Sequence, residues 1–113
     1  MVRTLAFVLV SAGTLVATAA GYVSTQQVDA GRKVYEREKC ATCHQVARRG
    51  NSRYPLDGVA SRLTADQIRR WMTRPVEMEA ALPRMPAIRM STMKYKLNSE
   101  DLDALVAYLQ TLK

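Results

Sequence analysis

Five consecutive residues, Cys40-Ala41-Thr42-Cys43-His44, constrain this chain more than any other part of it, because they hold both of its cysteines and its single histidine. Two thiols three residues apart, followed at once by an imidazole, form the attachment pattern of a c-type haem. The thiols reach the two vinyl groups of one porphyrin as thioethers, and the adjacent imidazole comes up beneath the iron. Competing readings are a redox-active disulfide, a zinc half-site and chance. A thioredoxin-like disulfide wants a strand-to-helix context, which the flanking sequence lacks. A structural zinc site wants a fourth Cys or His, and the chain has none. The pattern therefore predicts one covalent haem c, anchored by Cys40 and Cys43, with His44 on the iron.

The 113 residues allow one domain at most. Arg3 precedes an apolar run from Leu5 to Ala20, with small residues following, which is the arrangement of a secretory signal. Cleavage fits the small-x-small rule after Ala19 and again after Ala30. Residues 1–30 are accordingly read as a leader and 31–113 as the folded domain. Export to the periplasm agrees with the attachment motif, since bacterial c-type haem is added outside the cytoplasm. The alternative is an uncleaved anchor over residues 5–23, holding the domain on the outer face of the inner membrane, since 19 residues at about 1.5 Å each can span a bilayer. Ser11, Gly13, Thr14 and Thr18 interrupt that run and favour cleavage.

What remains is near the size at which an apolar core alone supplies only a few kcal/mol, so a staple is expected. Three helices can be placed. Asp29 to Ala41 has Val34 and Tyr35 as its apolar positions and Asp29 as its N-cap. Thr64 to Thr73 opens on a capping box, Thr64 with Gln67, carries Ile68, Trp71 and Met72 on one face, and ends at Pro75. The last begins at Asn98-Ser99-Glu100-Asp101, its acidic first turn favouring the helix dipole, and bears a stripe of Leu102, Leu105, Val106, Leu109 and Leu112. Arg48 to Asp57 and Pro75 to Asn98 read as loops, and no segment alternates long enough to be a strand. The expected class is all-α, with long loops wrapped around the haem; without haem the chain should be largely unfolded.

The net charge of +7 excludes few partners by itself. Its arginines and lysines are scattered, as Arg48-Arg49, Arg69-Arg70, Arg84, Arg89, Lys94 and Lys96, without interleaved aromatics to stack bases. Nucleic acid is excluded on that ground, and an acidic protein surface is the partner such a domain would meet.

From Asp29 to Lys113 the sequence resembles the class I, mitochondrial-type monohaem cytochromes c. Gly31-Arg32-Lys33-Val34-Tyr35 looks like the family's amino-terminal helix, in which a glycine and an aromatic pack on the carboxy-terminal helix. Leu105-Val106-Ala107-Tyr108-Leu109 looks like that partner, with Tyr108 in the aromatic slot. Tyr54-Pro55-Leu56-Asp57-Gly58 resembles the family's Gly-Pro-x-Leu turn, with Tyr54 in place of the glycine. The resemblance implies that the Pro55 carbonyl accepts a hydrogen bond from the unligated nitrogen of His44.

With a single histidine, the sixth iron position falls to a methionine or a lysine, or stays open. The family supplies a methionine from the loop before the last helix, and a thioether there raises the potential. Met85-Pro86 has the family's dipeptide but lies far from the last helix. Met90 fits the register but leaves Met93 where an aromatic is usual. Met93 is preferred, because it puts Tyr95 near that slot. The methionines left over, with Met72 and Met78, would fill the core. Trp71 would pack on the haem edge, donate its indole N–H to a propionate, or serve as plain core.

Two strong axial ligands leave one-electron transfer as the remaining chemistry. In its small size, single haem and Arg-rich loops the chain is similar overall to cytochrome subunits of periplasmic dehydrogenases, among them the partner of molybdenum sulfite dehydrogenase. That likeness implies an electron-accepting subunit that is not itself catalytic. A diffusing carrier to another cytochrome or a terminal oxidase is the alternative, and a haem sensor or enzyme with an open sixth site is a rival class.

Overall fold

Ser24 opens the first helix: in extended conformation, it accepts the Gln27 amide on its hydroxyl at 3.1 Å. The structure, a computed structural model, describes residues 23–113. The Ala19 cut site and the whole apolar run from Leu5 to Ala20 lie outside them. Helix α1 spans Thr25–Arg37, so Asp29 is not its N-cap. Asp29 sits within the second turn and meets Arg32 at 3.3 Å, and the candidate cut after Ala30 falls inside α1. The helix also stops short of Ala41. Lys39 turns left-handed at φ 55° and the chain tightens into a single 3-10 turn at Cys40–Thr42.

Three minute strands follow where none was expected: β1 (His44–Val46), β2 (Arg49–Gly50) and β3 (Tyr54–Pro55), in the order β2-β1-β3. β1 runs antiparallel to β2 and parallel to β3. Ladders of two or three residues are too short to show alternation, which is why the sequence pattern hid them. Ala47 and Arg48, both at positive φ, make the β1–β2 reversal. Gly50 is required at φ 95°, where a side chain would also press on the backbone of Ala41 and His44.

The remaining helices are α2 (Val59–Arg62), α3 (Ala65–Thr73), α4 (Pro75–Ala80) and α5 (Ser99–Leu109). The capping box of α3 forms as expected: Thr64 Oγ1 accepts the Gln67 amide at 3.2 Å, and Gln67 Oε1 accepts that of Thr64 at 2.9 Å. Pro75 does end α3. It also starts α4 as its first residue, where its missing N–H and fixed φ suit a helix start, so the loop expected from Pro75 begins only after Ala80. Asn98 caps α5 through the Asp101 amide at 2.7 Å, and Glu100 and Asp101 lie in its first turn.

The architecture is helical with long loops, as expected, and α1 packed on α5 is its spine. Gly31 lets the two meet: a methyl there would overlap the Ala104 carbonyl and approach Tyr108 Cβ to 2.7 Å. Beside this contact the rings of Tyr35 and Tyr108 pack edge to face with centroids 5.7 Å apart. Val34, Val59, Ile68, Leu105, Val106 and Leu109 complete a small buried cluster.

Candidate haem-binding site

The two cysteines are brought together by the 3-10 turn, in which the Cys43 amide bonds the Cys40 carbonyl at 3.1 Å. Asn51 clamps this segment from across the β1–β2 reversal. Its backbone N–H donates to the carbonyls of Ala41 and His44 at 3.0 and 3.2 Å, and its side-chain amide to that of Thr42 at 3.2 Å. Neither cysteine is in a disulfide. Burial pushes the Cys40 thiol up to about 11, with the Glu38 carboxylate adding to the shift. A reactive disulfide cysteine needs the opposite, a lowered pKa. Among the described residues no cluster of three or more His, Cys, Asp or Glu is placed to hold a bare metal ion.

His44 opens β1, and the parallel register sets it opposite Tyr54. Its Nδ1 lies 2.8 Å from the Tyr54 carbonyl oxygen. A carbonyl can only accept, so Nδ1 carries the proton and Nε2 keeps the lone pair that a metal requires. The expected acceptor, the Pro55 carbonyl, is displaced by one residue. Pro55 is exposed and stands opposite Gln45 in the ladder, because the short β1–β3 pairing, rather than a glycine-proline turn, fixes the register. Tyr54 does more than its position suggested, since its hydroxyl also accepts the Ile88 amide at 3.3 Å.

Cys40, Cys43 and His44 line a cavity of about 310 Å³, within the range of cofactor sites. Its walls are overwhelmingly apolar: Ile68, Trp71 and Met72 from α3, and Leu105 and Leu109 from α5. Trp71 is half-buried there. The last long loop adds Met90, Met93 and Tyr95. Met85 is not part of the wall and is 50% exposed, whereas its neighbour Pro86 lines the cavity. Met90 and Met93 remain at the cavity, the latter 40% exposed.

Tyr35, Tyr95 and Glu79 are among the polar residues at this cavity that were not picked out as site residues from the sequence. Tyr35 has a buried hydroxyl without a hydrogen-bond partner, and burial raises it to about 12. Tyr95 is raised likewise to about 12, first by burial and then by the nearby cysteines. Glu79, on α4, is 1% exposed. Burial alone would raise its pKa, but hydrogen bonds from Ser91 and Arg89 outweigh this and hold the carboxyl below its ordinary value. No local pattern marks Glu79, since both partners lie ten or more residues away.

An apolar cavity, two unpaired thiols on its wall and an imidazole with a free Nε2 fit one covalently attached tetrapyrrole. The fold and site thus define a small helical haem-carrying domain. The sequence model of the cytochrome c family matches residues 28–113, and the chain belongs to that family. No curated protein and no solved structure matches it. Membership implies one covalently bound haem c, with its iron, and haem-based electron transfer. Cys40 and Cys43 would hold the group and His44 would ligate it. When bound, it supplies reversible one-electron chemistry, while α3, α5 and the loop exclude water from it.

Proposed function

We propose that this electron transfer takes place in the periplasm, with His44 and Met93 as the two iron ligands and an acidic redox protein as partner. In this reading the chain is the electron-accepting subunit or partner of a periplasmic dehydrogenase. What supports it is where the charge is left over. All four arginines of α1 and α3 meet carboxylates, as in Arg37–Asp101 at 2.7 Å and Arg70–Asp66 at 2.9 Å. Among the described residues ten exposed cations form no ion pair: Lys33, Lys39, Arg62 and Lys113, and with them Arg48, Arg49, Arg53, Arg84, Lys94 and Lys96. The last six lie on two stretches of chain, residues 48–53 and 84–96, that lead directly into cavity-lining residues. Positive charge beside an electron-transfer site steers an acidic partner and speeds encounter at low salt.

The test is the rate of reduction by the dehydrogenase that co-purifies from the native host, measured against ionic strength. The rate should fall steeply as salt rises, and Arg84→Glu with Lys94→Glu should slow association without altering the haem content. A rate independent of salt and of both reversals overturns the docking assignment. Sulfite as the electron source rests on overall likeness to sulfite dehydrogenase subunits, and reduction by sulfite with the co-purified enzyme decides it.

A further inference from the structure

Among the described residues Glu79 is the one charged side chain buried in this protein, at 1% exposure. A carboxylate removed from water must be supplied with donors. All of its donors come from one short stretch: the Ser91 amide to Oε1 at 2.9 Å, the Ser91 hydroxyl to Oε2 at 2.6 Å, and Arg89 Nε to Oε2 at 3.0 Å. Arg89 and Ser91 flank Met90. Ser91 also lies inside the 3-10 turn Met90–Thr92, whose closing bond joins the Met93 amide to the Met90 carbonyl at 3.0 Å. The Thr92 hydroxyl ties the turn back to the Arg89 carbonyl at 2.7 Å.

We propose that Glu79 is the positioning residue of the axial methionine: it clamps the turn that carries Met90 and Met93 onto the wall of the haem cavity. The inference rests on methionine ligation as read above, and it holds for either methionine. Two features make such a clamp necessary. The other hydrogen bonds from residues 84–97 to the rest of the protein are longer: Ile88 to Tyr54 at 3.3 Å, Lys96 to Glu38 at 3.3 Å and Arg37 to the Lys96 carbonyl at 3.4 Å. A thioether is also an uncharged and weakly held ligand, and Lys94 and Lys96, in the same segment, carry amines able to replace it. Glu79 itself is held firm because Pro75 seeds α4 directly against the end of α3.

The experiment uses the holoprotein and follows the sulfur-to-iron charge-transfer band of the ferric form while imidazole is added. Glu79→Ala should accelerate displacement of the methionine about ten-fold or more, and Ser91→Ala by several-fold. Glu79→Gln should fall between Glu79→Ala and wild type, because its carbonyl still accepts from Ser91 while its amide meets Arg89 donor to donor. These two milder variants keep the test open should Glu79→Ala fail to fold. Val34→Ala, a core truncation away from the cavity wall, lowers stability without touching the clamp and should leave the rate within about two-fold of wild type. Displacement no faster in the Glu79 and Ser91 variants than in Val34→Ala overturns the proposal. A wild type with no charge-transfer band rejects methionine ligation instead. The clamp is then decided by hydrogen exchange at the Ser91 and Thr92 amides in Glu79→Ala, or at the Thr92 amide in Ser91→Ala should Glu79→Ala fail to fold: loss of protection supports it, and unchanged protection overturns it.

Discussion

Gly31→Ala sets two opposing effects against each other at one atom. In an isolated helix the change would help, since alanine is favoured over glycine by about 1 kcal/mol. In this protein the added methyl points at α5. It would stand 2.6 Å from the Ala104 carbonyl carbon and 2.7 Å from Tyr108 Cβ, and neither is the free end of a flexible side chain. Relief requires α1 and α5 to separate by on the order of 1 Å, which forfeits much of the attraction between the facing side chains. Those side chains are Val34, Tyr35, Leu105 and Tyr108, half of the buried core. Overpacking of this kind costs about 1 to 3 kcal/mol, and backbone contact places it at the upper end. Net of the propensity gain, Gly31→Ala should lose roughly 2 kcal/mol, which lowers Tm by about 8 to 16 °C in a domain of this size. Thermal unfolding of the holoprotein, followed by far-ultraviolet circular dichroism, measures it. Ala30→Gly, one residue away but exposed, is the control and should cost only about 1 kcal/mol of propensity. A Gly31→Ala protein as stable as wild type would refute the helix-contact argument.

Covalent attachment predicts that the wild type keeps its haem through acid–acetone extraction, with an unchanged pyridine haemochrome spectrum, whereas Cys40→Ala with Cys43→Ala releases it. The cysteine-free protein should show no cooperative helical unfolding at 25 °C, because haem fills the cavity that α3, α5 and the loop enclose; a native-like transition by circular dichroism contradicts this. Met93→Ala should abolish the sulfur-to-iron band and lower the potential, while Met90→Ala retains the band. Met85→Ala, at a half-exposed position off the cavity wall, should change stability by less than about 0.5 kcal/mol; a lost band in Met90→Ala alone moves the ligand there. Tyr35→Phe should be neutral or stabilising by about 1 kcal/mol at neutral pH, since the deleted hydroxyl has no partner. The folded Tyr35 is raised to about 12, so its neutral form contributes fully below pH 10 and that contribution is lost as pH climbs from 10 through 12. The Tm of Tyr35→Phe should fall less over that interval than that of wild type.

What could be read in the sequence was local. The cysteines and histidine are bound together by covalent chemistry within five residues, and the Thr64–Gln67 box and the Asn98 cap each act over three. The helical stripe of α5 needs only one face buried to show itself. The misplaced features depended on competition between local options. Ser24 and Asp29 could each cap a helix, and only the start of α1 at Thr25 decides between them. Pro75 both ends one helix and starts the next, and a breaker rule sees only the first effect. The Pro55 carbonyl lost His44 to Tyr54 through a two-residue register that leaves no periodic trace.

The choice of axial methionine shows why the distance along a loop is a poor guide to what reaches a cofactor. Counting residues back from α5 treats the segment after Ala80 as a free leash, on which a methionine at any suitable length could swing inward. The leash is not free. Pro86 and Ile88 reach the cavity wall, the 3-10 turn shortens the chain at Met90–Thr92, and Glu79 fixes that turn by three hydrogen bonds. Met85, which carries the most familiar dipeptide, lies before these constraints and stays at the surface, while Met90 and Met93 lie within or next to the turn and are held at the wall. On the proposed methionine ligation, a buried carboxylate on α4 narrows the choice of ligand, and nothing in the spacing of methionines records it.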